Sequence, residues 1–272
     1  MLTLDLFKLY GESTLPESES SGAASTYALD VDSDGTPETS IELSRVLIKF
    51  DYDKLNTHLT KNMDVTDSNF KAYLRLSSVS AGQFTPKNFT VDVFPLAQSF
   101  DEGVGRDVVS FSDLDSANFV TSSISGDSAI GWNMTGANRQ GFLGSSNLDI
   151  ISSGTLSGSA STQNINLWKE QTFSTGEEDL VIDVTTIVSA TLKNLIPDYG
   201  FRISYSGSHE TDAKTRFVKR FGSRHSRNIF IRPSLHVSFN DSIQDHHQTF
   251  LFDVSGSIFL KNYHRGQKAN IL

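Results

Sequence analysis

Asp30, Asp32 and Asp34 stand at alternate positions ahead of Gly35, in the order D-x-D-x-D-G. Carboxylates spaced this way before a sharp, glycine-permitted turn can wrap a hard cation in oxygen ligands, and calcium suits such a set. Counted from Asp30, the position where an EF-hand places its bidentate Glu is Ile41; Glu38 or Glu42 could replace it only in another geometry. No helix pattern precedes the loop. Two readings follow: a calcium loop held by Asp30, Asp32 and Asp34, and a solvated acidic turn, the commoner fate of such a run.

The other constellations carry less chemistry. Asp101 and Glu102 precede Gly103 and Gly105 and suggest the acid pair of a glycoside hydrolase, which needs two carboxyl groups flanking a sugar. Neighbours on an extended chain point to opposite faces, so these two cannot serve as that pair. His246 and His247, with His225 and His236, lack a ligand spacing, and there is no Cys to join them. No G-x-S-x-G, phosphate-binding loop or dinucleotide fingerprint occurs, so no catalytic residue is assigned. Lys214, Arg216, Lys219, Arg220, Arg224, Arg227 and Arg232 form one basic stretch, interleaved with Phe217 and Phe221. Salt bridges to acidic loops of the same or a neighbouring subunit are the favoured reading; an anionic ligand or glycan comes next. Nucleic acid comes last, because the formal net charge is −9 and phosphate neutralisation needs clustered cations. Trp132, Trp168, Tyr199 and Tyr205 could stack on sugar rings, but aromatics more often anchor a core or a subunit interface.

The elements that must position these residues read as strands. In SRVLIKFDY, Val46, Ile48 and Phe50 share one face, with Arg45, Leu47 and Lys49 on the other. In FKAYLRLSSV, Phe70, Ala72, Leu74 and Leu76 alternate with Lys71, Tyr73, Arg75 and Ser77, and NFTVDVFPLA places Phe89, Val91 and Val93 together. A slip of one residue would turn each apolar set into water, so the pattern fixes the register. Residues 121–165 are rich in Ser, Gly, Asn and Thr and read as a long ordered excursion with short strands, with a partly disordered insertion as the alternative. The one helix expected lies in DVTTIVSATLKNLI, capped by Asp183 or Thr185, with Ile187, Val188, Leu192 and Leu195 on one face. Strands resume in GFRISYSGS, TRFVKRFGSR and IRPSLHVSFND, and TFLFDVSGSIFLKNY suggests a hairpin about Ser255-Gly256. Residues 11–26 are Ser/Glu/Gly-rich and read as a flexible linker. The N-terminus has no signal-peptide pattern, and no apolar run is long enough for a membrane helix. The chain stops at Asn270-Ile271-Leu272 without a polar tail, which suggests further chain or a partner beyond it.

Several of these segments, in this order, resemble the DNRLRE-type domains, jelly-roll modules of cell-surface and carbohydrate-associated proteins. The segments are SRVLIKFDYDKL (44–55), FKAYLRLSSV (70–79), VDVFPLAQSFDEGVG (91–105) with the later Trp132, DLVIDVTTIV (179–188), YGFRISYSGS (199–208) and FGSRHSRNIFIRPSLHVSF (221–239). The run FDEGVGRDVVSFSDLDSANFVTSS also resembles loops of structural proteins of tailed phages, marine ones especially.

The expectation is an all-β, jelly-roll-type two-sheet β-sandwich with one short helix, a long loop insertion and terminal extensions. Residues 1–26 form an arm and linker, 27–240 the sandwich, and 241–272 a hairpin extension. The resemblances imply a non-enzymatic structural component of a tailed-phage virion, in its neck, tail or fibre region, assembled in the host cytoplasm. Its partners would be other virion proteins or copies of itself, with a host-surface glycan as a further ligand, and neither nucleic acid nor membrane. The alternatives are a carbohydrate-binding surface module and, third, a glycan-cleaving enzyme.

Overall fold

A computed structural model describes residues 3–5, 45–59, 63–80, 87–102, 117–156, 164–211, 219–224, 226–240, 246–247, 252–253, 255–258, 260 and 262–268. The strands are β1 (Thr3–Asp5), β2 (Arg45–Ile48), β3 (Lys71–Leu76), β4 (Ser78–Val79), β5 (Phe89–Pro95), β6 (Thr121–Ser125), β7 (Ser128–Gly131), β8 (Gln140–Phe142) and β9 (Ile150–Thr155). They continue with β10 (Asn164–Asn166), β11 (Lys169–Phe173), β12 (Leu180–Asp183), β13 (Phe201–Tyr205), β14 (Arg220–Gly222), β15 (Ser234–Ser238), β16 (Tyr263–His264) and β17 (Gln267–Lys268). Among the described residues three short α-helices interrupt them: α1 (Asp53–Leu59), α2 (Thr185–Leu192) and α3 (Ser208–Thr211).

Alternation along the strands builds the sandwich. One sheet runs β11-β5-β13-β2 and the other β12-β3-β15, with antiparallel neighbours throughout. Beyond Ser77 the chain of β3 continues as β4, which pairs with β14, and β14 in turn takes β1 on its other edge. The path crosses between the two sheets repeatedly: β2, β5, β11 and β13 lie in one, β3, β12 and β15 in the other. This is the two-sheet, jelly-roll-type sandwich that the period-two pattern predicts. Val46, Phe89, Val91, Val93, Phe173, Phe201, Ile203 and Tyr205 of the first sheet face Ala72, Leu74, Leu76, Leu180 and Ile182 of the second in one core. The rings of Phe89 and Phe173 stack in parallel at 4.9 Å, and Tyr205 meets Phe89 edge-on at 5.7 Å.

The expected helix is present but shorter than its apolar pattern. Val184, not Asp183 or Thr185, is its N-cap, and Val184 makes no side-chain cap bond. Asp183 still accepts the Thr185 N–H, while the Thr185 hydroxyl accepts the Ala72 N–H and so ties the helix to β3. Ile187, Val188 and Leu192 are buried as predicted; Leu195 falls beyond the last turn, where Asn194 turns the chain with φ +56°. Helices α1 and α3 are additions to the sequence reading. In α1, Leu55 and Leu59 sit four residues apart and pack on the core, a short i, i+4 signal that an otherwise polar heptapeptide obscures.

The excursion after β5 is ordered over 117–156 and does more than connect strands. It lays a second apolar cluster on the outer face of the four-stranded sheet: Trp132, Ala137 and Ile150 against Phe94 and Leu96, with Leu47, Trp168 and Tyr199 at its margin. Strand β13 is consequently buried on both sides. In the C-terminal extension, the hairpin of the described residues turns at Arg265-Gly266, between β16 and β17. Ser257 pairs with His246, exchanging backbone N–H···O and N–H···Nδ1 bonds; residues 248–251, 254, 259 and 261 of the hairpin expected about Ser255-Gly256 lie outside the described residues. Among the described residues no helix is long and apolar enough to cross a membrane.

Candidate functional site

Asp30, Asp32 and Asp34 lie outside the described residues, as do His225, Lys214, Arg216 and Phe217. Among the described residues no group of three or more His, Asp or Glu side chains is arranged to hold a metal ion. Asp101 and Glu102 part company as the strand geometry predicts. The Asp101 carboxylate accepts the Ile124 N–H at 2.7 Å and anchors β6, whereas Glu102 pairs with Arg224 at 2.9 Å on the surface. That ion pair joins the basic stretch to an acidic loop of the same chain. Of the four aromatics considered for stacking, Trp132 and Tyr205 are buried, and Trp168 lies parallel to Phe94 at 5.7 Å. Tyr199 packs at the edge of the second cluster.

Lys219 departs furthest from a surface reading. It is 2% exposed, and its ammonium donates to Ser78 Oγ and to the carbonyls of Gly176 and Glu178 at 2.7–2.9 Å. The rings of Phe173 and Phe221 flank it at 5.0 and 5.3 Å. Burial pushes its pKa down to about 8, against the pull of Glu178, Asp179 and Glu177. The amine is a tie between the 176–178 turn and β14, not a group presented to a ligand.

A second set of buried charges lies under the excursion. Arg45 and Arg202 project from the outer face of β2 and β13, each 3% exposed, and both reach Glu210 of α3 at 2.7 and 3.0 Å. Arg45 also donates to the carbonyls of Thr135 and Gly136 and lies over the Phe119 ring; Arg202 lies over Phe94. Burial lowers the Arg202 pKa to about 10, and the charge of Arg45 adds to that, opposed by Glu210 and Asp92. The sequence reading placed Arg45 on the outer face; it could not show that another layer closes over that face.

Asp149, wholly buried, organises that layer. One carboxylate oxygen accepts the Asn133 backbone N–H and its side-chain amide; the other accepts the Met134 and Arg139 N–H groups, all at 2.8–3.1 Å. The Asn133 amide also donates to Gln98 Oε1, and Gln98 donates to Ser122 and to the Gly131 carbonyl. This network floors an open cleft of about 500 Å3 between the β6–β7 hairpin, the 143–148 loop and Pro197. Sequence reasoning missed Asp149, Gln98 and Asn133. Their only signal is an isolated Asp ahead of Ile150-Ile151 in a polar stretch, and non-periodic loops carry no pattern that shows which side chains turn inward.

No family model, curated protein or solved structure matches this chain.

One surface feature stands apart from these internal networks. Residues Ile229–Ile231 form a single 3-10 turn, with Ile229 61% and Phe230 84% exposed. Its base is fixed. Asn228 accepts the Phe230 N–H, Arg232 Nε donates to the Ser226 carbonyl, and Gly222 lies so close to the Ile231 carbonyl that a β-carbon would collide with it. Arg224 and Arg227 stand beside it in sequence, both exposed. In the C-terminal extension Phe252, Ile258, Leu260 and Tyr263 are exposed as well.

Proposed function

We propose that this chain is a non-enzymatic structural component that assembles through protein–protein contacts, in the neck, tail or fibre region of a tailed-phage virion. The observation that carries the assembly reading is the rigid, solvent-facing Ile229–Phe230 turn in a setting of arginines. Contiguous large apolar side chains held in water mark contact sites. Aromatic residues and arginine are the types that dominate interface energetics, and a pre-ordered anchor loses little entropy on docking. The described ionisable clusters fit the same reading: Lys219, Arg45, Arg202 and Asp149 are engaged in holding layers together. The virion setting draws on the likeness of 100–123 to phage structural loops.

Light scattering on the full chain, with and without proteins from disassembled particles, tests this. The wild type is expected to associate with itself or with a defined particle protein. Phe230→Ala should weaken that association roughly 30-fold or more, as for a central aromatic anchor, while leaving the melting temperature unchanged. A chain that stays monomeric and binds no particle protein overturns the proposal, and so does a Phe230→Ala variant that associates as well as the wild type.

A further inference from the structure

We infer that the cleft floored by Gln98 and Asn133 is a binding site for one uncharged sugar unit. This inference stands on the cleft alone and does not depend on the assembly reading. The cleft, about 500 Å3, falls within the range of small-ligand sites. Its lining contains no ionisable side chain, although the chain as a whole carries a net charge of −9. A charged ligand would lose hydration there and meet no counter-charge. The walls combine two chemistries. Ile130, Leu148 and Pro197 offer apolar surface, and Ile130 is 45% exposed. Asn133, Ser145 and Asn147 offer amide and hydroxyl groups. A pyranose ring matches that division, with C–H groups on its faces and hydroxyls around its edge.

The floor is built before any ligand arrives. Asp149 and Gln98 fix the Asn133 amide through its nitrogen, which leaves its oxygen directed away from those bonds as an acceptor for a hydroxyl donor. The rim opposite is a tight loop in which Gly144, at φ +93°, carries the chain past the opening. A side chain there would meet no atom, so the opening is free on that side. A fixed floor with an open rim suits a ligand that enters as the end or branch of a larger neutral glycan.

The test is an amide NMR titration of the full chain with glucose, galactose, mannose and N-acetylglucosamine, and with glucuronate and glucosamine as charged counterparts. At about 10 mM, where a ligand of millimolar affinity is mostly bound, at least one neutral sugar should shift the Ser145–Leu148 amides and the Asn133 side-chain amide saturably. The charged counterparts should bind at least about tenfold more weakly. Ile130→Arg, a change at an exposed position that fills the cleft with a charged side chain, should abolish the shifts while leaving the rest of the spectrum in place. The inference is overturned if no neutral sugar gives saturable shifts at these residues, if the charged sugars bind equally well, or if the shifts survive in Ile130→Arg.

Discussion

Asp149 shows how much one buried carboxylate can organise when every bond it makes is to a donor. Its four N–H partners come from Asn133, Met134 and Arg139. Asp149→Asn would turn one acceptor oxygen into an NH2 group facing N–H donors. Urea denaturation should show a loss of about 2–3 kcal/mol, the cost of leaving a buried polar group unmatched. Lys219 predicts a pH effect of definite sign. Its folded pKa, about 8, lies below the ordinary value of 10.5, so between those values the unfolded chain holds more protons. Its contribution to stability therefore rises with pH through that window. Denaturation curves at about pH 7.5 and about pH 9.5 should show wild type gaining on Lys219→Met at the higher pH; a constant difference would refute the burial argument. Glu178 works at the other end. Partial burial opposes its ionisation, but the Thr175 and Ser174 backbone N–H groups prevail and hold its pKa at about 2. That contribution is complete above the ordinary value of 4.5 and is lost as pH falls through about 2. Glu178→Gln should accordingly lose less stability than wild type between those two values in an acid titration.

At the scale of elements, β13 depends on a glycine at its entry. Gly200 has φ +91°, and a β-carbon on it would strike the Ile48 carbonyl at the end of β2. Both the backbone conformation and the close approach oppose a side chain. Gly200→Ala should cost about 3 kcal/mol or more, seen as a lowered denaturation midpoint, whereas Gly144→Ala, with open space around it, should carry only the smaller conformational cost. The strands themselves were legible: Val46, Phe70, Ala72, Leu74, Leu76, Phe89, Val91 and Val93 are all buried as their alternation predicts. What alternation could not reveal is a third layer. Arg45 reads as an outward-facing charge, and so it is with respect to the sheet. Its burial comes from Phe119, Thr135 and Gly136, distant in sequence and without periodicity. The same limit hid the cleft, whose walls come from four separate segments. Lys219 escaped for another reason: a cation enclosed by carbonyls and two rings looks, in one dimension, like any member of a basic run.

At the scale of the whole molecule, the described residues form two cores that share one sheet, and the stability of each should depend on the other. Hydrogen exchange is the direct measurement. The amides of Arg202–Tyr205, paired with β2 or β5 and covered on both faces, should exchange only through global opening. Those of Tyr263–Lys268, in a two-stranded hairpin whose side chains at 263–267 are exposed, should exchange orders of magnitude faster. Exchange of β13 at the rate of that hairpin would show that the outer layer opens independently. The same arrangement divides the outer layer into parts that can and cannot accept new sequence. The β6–β7 turn at Gly126-Asp127 and the rim at Ser145-Ser146 are exposed tips. Their roots, Asp149, Trp132 and Gly136, are locked beneath. A foreign peptide spliced into either tip displaces no buried atom, so the fold can serve as a carrier that displays inserted epitopes, provided the graft leaves the roots intact.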